Sequence, residues 1–329
     1  MDWKDRPVLV TGAGGFIGSH LAEALVDRGA QVRAFVRYNS RGDIGLLSLL
    51  PTAKREALQI MAGDLRDPYA VAEACQGVTH LFHLGALIAI PYSYLHPREV
   101  VETNVLGTLN VLMAAREMGV ERVVHTSTSE VYGTAQTVPI SEDHPLQGQS
   151  PYSASKIAAD KLAESFYCSY DLPVATIRPF NTYGPRQSAR AVIPTIITQA
   201  LVQDLIYLGS LTPRRDFTYV EDIVDGFLKV AEADRAIGQT INIGSDQEIC
   251  IGDLAQKIAH LVGRDVEIVT DEQRLRPERS EVHRLWADSH KARELLNWSP
   301  RTSLDEGLLK TIDWISRHLD RYCPGEYQV

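Results

Sequence analysis

The stretch that decides the fold is Thr-Gly-Ala-Gly-Gly-Phe-Ile-Gly at residues 11–18. It follows an apolar strand predicted over 8–10 and opens a helix predicted over 16–28. A glycine-rich turn between a strand and a helix is the context that a dinucleotide-binding loop requires, because backbone N–H groups at the helix N-terminus can meet a pyrophosphate. The stretch therefore predicts a dinucleotide site at the start of the chain.

The three glycines of this loop have separate tasks. Gly12 allows the tight turn, Gly15 lets the backbone approach a pyrophosphate, and Gly18 lets the helix and the strand pack closely. Phe16 and Ile17 lie between them and are predicted to contact the same cofactor.

Short apolar strands alternate with helices through the first half of the chain. Further strands are predicted over 32–36, 58–61, 80–84, 122–126 and 174–178, with helices over 98–118 and 151–170. This alternation means a parallel sheet with helices on both faces. The predicted fold is α/β, a doubly wound parallel sheet of the Rossmann type with a smaller α/β C-terminal substrate lobe.

The pattern loosens after Pro179. Segments 219–233 and 240–243 read as a further helix and strand of the main body, whereas a strand at 266–269 lies among C-terminal helices. The predicted dinucleotide-binding domain is 1–180 plus 212–245, and the predicted substrate-binding lobe is 181–211 plus 246–329.

The residues at the end of the second predicted strand bear on the choice between NAD and NADP as cofactor. NAD enzymes usually place a carboxylate there, whereas this chain has Val36 followed by Arg37, which could meet a 2′-phosphate. This slightly favours NADP over NAD, although Arg37 could equally stack on adenine or point to solvent. Asp64 and Leu65 follow the third strand and are predicted to reach the adenine ring. Other predicted cofactor contacts are Leu84, Ala86 and Thr103.

Two segments carry groups for proton transfer. Thr-Ser-Thr-Ser-Glu-Val-Tyr-Gly at 126–133 follows a strand, and Tyr-Ser-Ala-Ser-Lys at 152–156 opens a helix. A phenol near an ammonium, here Tyr152 and Lys156, is a general base for an alcohol because the cation favours phenolate. The Glu130 carboxylate adds a second proton transfer, at carbon. The pair of segments therefore indicates more than a simple oxidation.

On these residues the chain resembles an extended short-chain dehydrogenase/reductase of the sugar-nucleotide-modifying kind. The resemblance implies Tyr152 as base for a sugar hydroxyl, Lys156 as the cation that lowers its pKa and holds the nicotinamide ribose, and Thr128 as a hydrogen-bonding group that orients the hydroxyl. The Thr-Ser-Glu triplet at 128–130 is similar to that of 4,6-dehydratases, whereas 4-epimerases typically lack an acid at Glu130. Thymidine-diphosphate-glucose dehydratases have Asp where this chain has Ser129, so Glu130 is expected both to accept and to deliver the proton.

A narrower resemblance is to bacterial N-acetylglucosamine-nucleotide 4,6-dehydratases of the legionaminic-acid type. It rests on segments 37–40, 90–94, 126–135, 180–190, 208–212 and 276–282. It implies that Arg276 and Arg215 contact the substrate diphosphate and that Asn181 orders the diphosphate or the sugar. The long helices imply a homodimer by the same analogy.

The implied reaction oxidises C4 of UDP- or GDP-N-acetylglucosamine, eliminates water across C5–C6 and returns the hydride to C6. The implied enzyme is a lyase that keeps NADP or NAD bound and gives a 4-keto-6-deoxy sugar. UDP-glucuronate decarboxylases also carry a Thr-Ser-Glu triplet and remain an alternative, as does a 4-epimerase. A dinucleotide sensor without catalysis is a further alternative from another class.

The composition of the chain limits the classes of binding partner that are expected. The net charge of −9 and the lack of a basic run argue against nucleic acid or an anionic membrane surface. The four cysteines show no metal spacing, so no metal site is expected and the thiols are predicted to be reduced, as in a cytoplasmic protein. Neither a signal peptide nor a membrane-spanning apolar run is predicted.

Overall fold

The structure, a computed structural model, describes residues 1–326. Its strands are β1 (Pro7–Thr11), β2 (Gln31–Arg37), β3 (Gln59–Gly63), β4 (His80–His83), β5 (Arg122–Thr126), β6 (Val174–Pro179), β7 (Asn181–Tyr183), β8 (Leu205–Leu208), β9 (Arg214–Arg215), β10 (Phe217–Tyr219), β11 (Thr240–Ile243), β12 (Ile249–Cys250), β13 (Glu267–Thr270) and β14 (Arg284–Leu285). Its α-helices are α1 (Phe16–Asp27), α2 (Thr52–Glu56), α3 (Pro68–Cys75), α4 (Ile90–Leu95), α5 (Pro97–Val101), α6 (Gly107–Glu117), α7 (Pro151–Tyr170), α8 (Val192–Val202), α9 (Val220–Glu232), α10 (Ile251–Val262), α11 (His290–Leu296) and α12 (Leu304–Arg317).

Seven strands form the main sheet, in the order β11-β6-β5-β4-β1-β2-β3, and every neighbouring pair is parallel. The strand order reverses between β1 and β4, which creates a crevice at the carboxyl ends of these two strands. The predicted doubly wound parallel sheet is confirmed. Its topology places the ends of β1, β4, β5 and β6 along one edge, where a ligand can bind.

Helices cover both faces of the sheet. On one face, α1, α9 and α11 contribute buried apolar side chains such as Leu21 and Phe227. On the other face, α3, α6 and α7 contribute Leu112 and Phe166. Burying each such side chain is worth about 1.5–3 kcal/mol, so the two layers hold the strand ends in fixed positions.

A third core lies in the C-terminal part of the chain. Helices α8, α10 and α12 pack around Ile196, Leu254 and Ile315, next to the two-stranded sheets β7–β10 and β8–β13. Beside them, β9 is flanked by β12 and β14, so the Arg215 backbone is held on both sides. The loop after β6 and strand β9 bring this lobe to the mouth of the crevice.

The helix predicted over 98–118 is interrupted. Between α5 and α6 the chain makes a π-helical turn, Glu102–Leu106. The buried Asn104 amide exchanges hydrogen bonds with the Leu87 backbone, accepting from its N–H at 2.8 Å and donating to its carbonyl at 2.9 Å. A Cβ on Gly107 would lie 2.9 Å from the Leu65 Cβ, so the backbone there approaches a neighbouring loop closely. These tertiary contacts stabilise the wider turn.

Candidate active site

A cavity of about 860 Å³ opens at the carboxyl ends of the central strands and extends to the C-terminal lobe. Of the predicted site residues, the cavity is lined by Gly12, Gly15, Phe16, Ile17, Gly18, Arg37, Asp64, Leu65, Leu84, Ala86, Thr103, Thr128, Ser129, Glu130, Tyr152, Asn181, Arg215 and Arg276. Lys156 is the predicted site residue that does not line it. The cavity therefore brings together groups that are more than 260 positions apart in sequence, from Gly12 to Arg276.

The glycine loop forms a cradle that larger residues would fill. Gly12 has a φ of +71°, and a Cβ there would lie 2.7 Å from the Gly85 backbone nitrogen. A Cβ on Gly18 would collide with the Gly12 carbonyl oxygen. Helix α1 begins after Gly15 without a side-chain cap, so its first N–H groups are available to an anion. This geometry fits a dinucleotide pyrophosphate.

The side of the cavity next to β2 and β3 carries charges that already have partners. The Arg37 guanidinium lies 3.3 Å from Glu99, whose second carboxylate oxygen accepts a hydrogen bond from Tyr92 at 2.5 Å. Arg66 donates to Asp64 at 2.6 Å, and this hydrogen bond lowers the pKa of Asp64. A ligand that uses Arg37 therefore competes with Glu99.

Helix α7 delivers Tyr152 to the cavity. Ser150 caps the helix by accepting from the Ser153 N–H, and Pro151 takes the first helical position, so the helix starts at this point of the chain. Tyr152 is buried, and burial raises the pKa of its phenol. The Thr128 hydroxyl hydrogen-bonds Tyr152 and opposes this rise, while the charge of Glu130 adds to it.

Lys156 lies one turn after Tyr152 on α7 and does not line the cavity. Its Nζ donates to the Thr126 carbonyl oxygen at 2.7 Å, and burial lowers its pKa to about 8. Burial of the phenol outweighs its hydrogen bond with Thr128, so the pKa of Tyr152 is raised overall. That Lys156 lowers this pKa stays a prediction.

Glu130 reaches the cavity from a short 3₁₀ turn, Ser129–Tyr132. The Thr128 hydroxyl caps this turn by accepting from the Glu130 N–H at 3.3 Å. The Glu130 carboxylate interacts electrostatically with Tyr152 on one side and with Arg215 on the other. Ser129 also lines the cavity but is almost entirely buried. One carboxylate thus interacts with both a phenol and a guanidinium.

The C-terminal lobe contributes two arginines. Arg215 lies 3.3 Å from Glu281, and Arg276 lies 3.8 Å from the same Glu281 oxygen. Burial lowers the pKa of Arg215, and the nearby carboxylates oppose this. The buried Asn181 Oδ1 has no hydrogen-bond partner among residues 1–326, so it is available to a donor in the cavity.

Several lining residues were not predicted. Glu281 lies in segment 276–282, in which only Arg276 is a predicted site residue. Asp43 lines the cavity because the loop after β2 turns back, with the Asp43 carboxylate accepting from the Gly45 N–H at 2.8 Å. Gln187, in segment 180–190, also has a buried oxygen without a partner in the described residues. The Asn-Ser-Arg-Gly-Asp sequence at 39–43 is a turn signal that could have indicated this loop.

Residues 1–326 contain neither a metal-binding cluster nor a membrane-spanning helix. No group of three or more His, Cys, Asp or Glu side chains in this part of the chain could hold a metal ion. Within the same range, every helix is too short or too polar to cross a membrane. All four cysteines are free thiols.

The fold and the cavity are those of an NAD(P)-dependent extended short-chain dehydrogenase/reductase. The family model for GDP-mannose 4,6-dehydratase matches residues 9–311, and the chain belongs to this epimerase/dehydratase family. The chain is 35% identical to a UDP-glucose 4-epimerase of Mycolicibacterium smegmatis over 312 residues, which cover 93% of this chain and 97% of the relative. It is 30% identical to UDP-glucuronic acid decarboxylase 1 of Xenopus tropicalis, with 98% of this chain and 76% of the relative covered.

One of the similar solved structures contains bound NAD. The dTDP-glucose 4,6-dehydratase DesIV of Streptomyces venezuelae, solved with NAD bound, superimposes with a TM-score of 0.85 at 28% identity, covering 96% of this chain and 98% of that chain. The relatives thus include epimerases, decarboxylases and dehydratases that act on sugar nucleotides.

Proposed function

We propose that the protein is a sugar-nucleotide 4,6-dehydratase, a lyase that acts on UDP- or GDP-N-acetylglucosamine. The observation that carries this proposal is the Glu130 carboxylate, which lines the same cavity as Tyr152 and interacts with it electrostatically. A 4-epimerase needs one base at oxygen, whereas a dehydratase also needs a base at carbon. The narrower substrate assignment rests on the resemblance to legionaminic-type dehydratases.

The cofactor site fits NAD or NADP. The cradle of Gly12, Gly15 and Gly18 accommodates the pyrophosphate at the start of α1. When bound, the nicotinamide supplies a reversible acceptor and donor of hydride. We propose that Phe16, Ile17 and the lining residues of β2 to β4 hold the rest of the molecule. They are Arg37, Asp64, Leu65, Leu84, Ala86 and Thr103. Arg37 slightly favours NADP.

Tyr152 takes the proton of the sugar 4-hydroxyl in the proposed first step. Thr128, which hydrogen-bonds the phenol, orients the same hydroxyl. Because burial alone raises the pKa of Tyr152, the phenolate needs nearby positive charge. We propose that Lys156, whose Nζ donates to the Thr126 carbonyl, supplies part of that charge and holds the nicotinamide ribose in the complex.

Glu130 performs the step that defines the reaction. Once C4 is a ketone, the proton at C5 becomes acidic, and Glu130 removes it. The 6-hydroxyl leaves with a proton as water. Since Ser129 is a poor acid and is almost entirely buried, Glu130 returns the C5 proton to the leaving hydroxyl. Return of hydride to C6 would be matched by a proton added at C5. In the overall balance this proton replaces the one that Tyr152 took from the 4-hydroxyl.

The C-terminal lobe holds the nucleotide in this proposal. Arg215 and Arg276 bind the diphosphate, which displaces Glu281 from between them. Asn181 accepts a hydrogen bond from the sugar or orders the diphosphate, through the oxygen that otherwise has no partner in the described chain.

A second candidate, UDP-glucuronate decarboxylase, is favoured by one specific observation. Arg215 is a buried cation in the cavity that interacts with Glu130, so it could bind a C6 carboxylate in place of a phosphate. A decarboxylase would release CO2 after oxidation at C4, and a 4-epimerase would release neither water nor CO2. A dinucleotide sensor would bind the cofactor without turnover.

We also propose the division of labour between domains and a homodimer. Residues 1–180 plus 212–245 would bind the dinucleotide, and 181–211 plus 246–329, of which the last three lie outside the described residues, would bind the substrate. Helix α11, however, packs on the main sheet rather than in the third core. Val101, Leu106 and Met113, exposed apolar side chains of the segment from α5 to α6, support pairing of two chains. Sedimentation of the purified protein tests this pairing.

The function is tested by incubating the protein with a panel of UDP- and GDP-sugars and following the products by mass spectrometry. Loss of water from an N-acetylglucosamine nucleotide supports the proposal. Loss of CO2 from UDP-glucuronate, or a product of unchanged mass with inverted C4, supports a rival enzyme. Cofactor binding without any product contradicts catalysis.

A further inference from the structure

The buried carboxylate of Asp160 lies one helical turn after Lys156 on α7 and makes contacts on several sides. It accepts from Ser127 Oγ at 2.6 Å and from an Arg178 Nη at 2.9 Å, and His125 Nε2 lies 3.0 Å from its other oxygen. His125 is on β5, Arg178 is on β6, and Ser127 directly precedes Thr128. A single side chain thus joins the helix of Tyr152 to the strand end that carries Glu130.

Asp160 does not line the cavity. We propose that it is a positioning residue whose negative charge keeps Lys156 protonated and fixed on the Thr126 carbonyl at neutral pH. This inference rests on the proposed function, in which the Lys156 ammonium supports the Tyr152 phenolate.

The charge balance of the buried site supports this role. The ionisable groups around Asp160 and Lys156 are His83 on β4, His125 on β5, Arg178 on β6, Tyr152 on α7, and Glu130 and Tyr132 on the 3₁₀ turn. Burial lowers the pKa of both histidines, so they are neutral at neutral pH. The buried cations are therefore Lys156 and Arg178. Asp160 is a buried anion that pairs with Arg178 and interacts electrostatically with Lys156, one helical turn earlier.

Removing the negative charge would leave two buried cations without a counter-ion. A guanidinium does not give up its proton at accessible pH, whereas an ammonium does. Burial opposes ionisation of Asp160, but His125, Arg178 and Ser127 together hold its pKa down, at about 2, so the anion persists through the physiological range. Lys156 would therefore be the group that neutralises when Asp160 is replaced.

The test follows Lys156 directly by NMR of full-length protein carrying ¹³C at the lysine ε-carbons, with its signal assigned by Lys156→Met. In the wild type, the Lys156 signal should show the protonated form at about pH 7. In Asp160→Asn its transition should move to lower pH by about one unit or more. Glu164→Gln, which removes an exposed carboxylate from the same helix, should leave the transition unchanged.

Two results would overturn the proposal: a neutral Lys156 in the wild type at about pH 7, or an unchanged transition in folded Asp160→Asn. The wild-type measurement stands even where the variant does not fold. Because the signal needs no substrate, it separates this inference from the proposed reaction. With an active substrate, the alkaline limb of the kcat profile in Asp160→Asn should move to lower pH by the same amount, a shift that a purely structural role would not produce.

Discussion

On the α7 side of the cavity, the buried Asp160 carboxylate accepts hydrogen bonds from Ser127 at 2.6 Å and from Arg178 at 2.9 Å. Ser127 and Arg178 are buried as well. On the lobe side, the contacts of Glu281 with Arg215 and Arg276 are 3.3 Å and 3.8 Å long, and Arg276 is partly exposed. The short contacts fix the groups proposed for chemistry before any ligand arrives. The long ones leave the two arginines able to exchange Glu281 for a diphosphate. We infer from this difference that the α7 side determines which reaction takes place and the lobe side determines which substrate binds.

The largest effect is expected on the α7 side. Tyr152→Phe removes the proposed base, so kcat should fall about 10³-fold while cofactor affinity stays close to the wild-type value. Steady-state kinetics and cofactor titration check both. Tyr170→Phe, a change at an exposed tyrosine at the end of the same helix, should leave kcat unchanged. A Tyr152→Phe variant with kcat within a few fold of wild type would exclude Tyr152 as the base.

On the lobe side, the effect should fall on substrate binding. Arg215→Met should raise KM for the sugar nucleotide about 100-fold, and the more exposed Arg276→Met about 10-fold, because charge-assisted hydrogen bonds to phosphate are lost. Arg279→Met, outside the cavity lining, is the matched control. If kcat falls while KM is unchanged, the arginines act on the reacting centre rather than on the diphosphate.

Two buried aspartates, Asp160 and Asp216, are expected to make the stability of the protein depend on pH in opposite directions. Asp160 has a pKa of about 2, below its ordinary value of 3.8, so its contribution to stability is present above about pH 4 and is lost as the pH falls through 2. Burial raises the pKa of Asp216 to about 6, so its contribution is present below about pH 4 and is lost as the pH rises through 6. Asp216 accepts from neutral donors, such as the Ser245 N–H at 2.7 Å.

Each aspartate should change the free energy of unfolding by about 2–3 kcal/mol across its own window. Urea unfolding of Asp160→Asn should therefore lack part of the wild-type loss below about pH 4. Asp216→Asn should lack the decline between about pH 4 and pH 6. Parallel pH profiles for the wild type and both variants would contradict the shifted pKa values of the two aspartates.

The smallest effect concerns cofactor choice. Arg37→Ala should weaken NADP binding about tenfold and leave NAD binding nearly unchanged, since one charge-assisted contact to a 2′-phosphate is lost. Glu99→Gln, which removes the carboxylate now 3.3 Å from Arg37, should tighten NADP binding. Equal losses for NAD and NADP in Arg37→Ala would mean that Arg37 contacts a part common to both.

The sequence allowed accurate predictions where the determining contacts are local. The glycine loop and the start of α7 depend on neighbours within one or two turns, so Gly12 to Gly18 and Tyr152 could be predicted from spacing. The π-helical turn could not, because it depends on the Asn104 amide meeting the Leu87 backbone.

The positions of Asp160 and Glu281 could not be predicted for the same reason. Asp160 resembles any polar helix residue until β5 and β6 surround it with His125 and Arg178. Glu281 becomes a partner of Arg215 because β9 and the 276–282 segment meet in space. Burial and ion pairing across such separations depend on tertiary structure, which local patterns do not contain.

In the proposed reaction, Glu130 turns an oxidation at C4 into an elimination. The most direct measurement compares the wild type and Glu130→Gln on the nucleotide sugar that loses water, following both the product mass and the near-ultraviolet absorbance of reduced nicotinamide. In Glu130→Gln the rate of dehydration should fall by about 10²-fold or more, while oxidation at C4 still raises the absorbance. Dehydration at the wild-type rate in Glu130→Gln would contradict this role of Glu130.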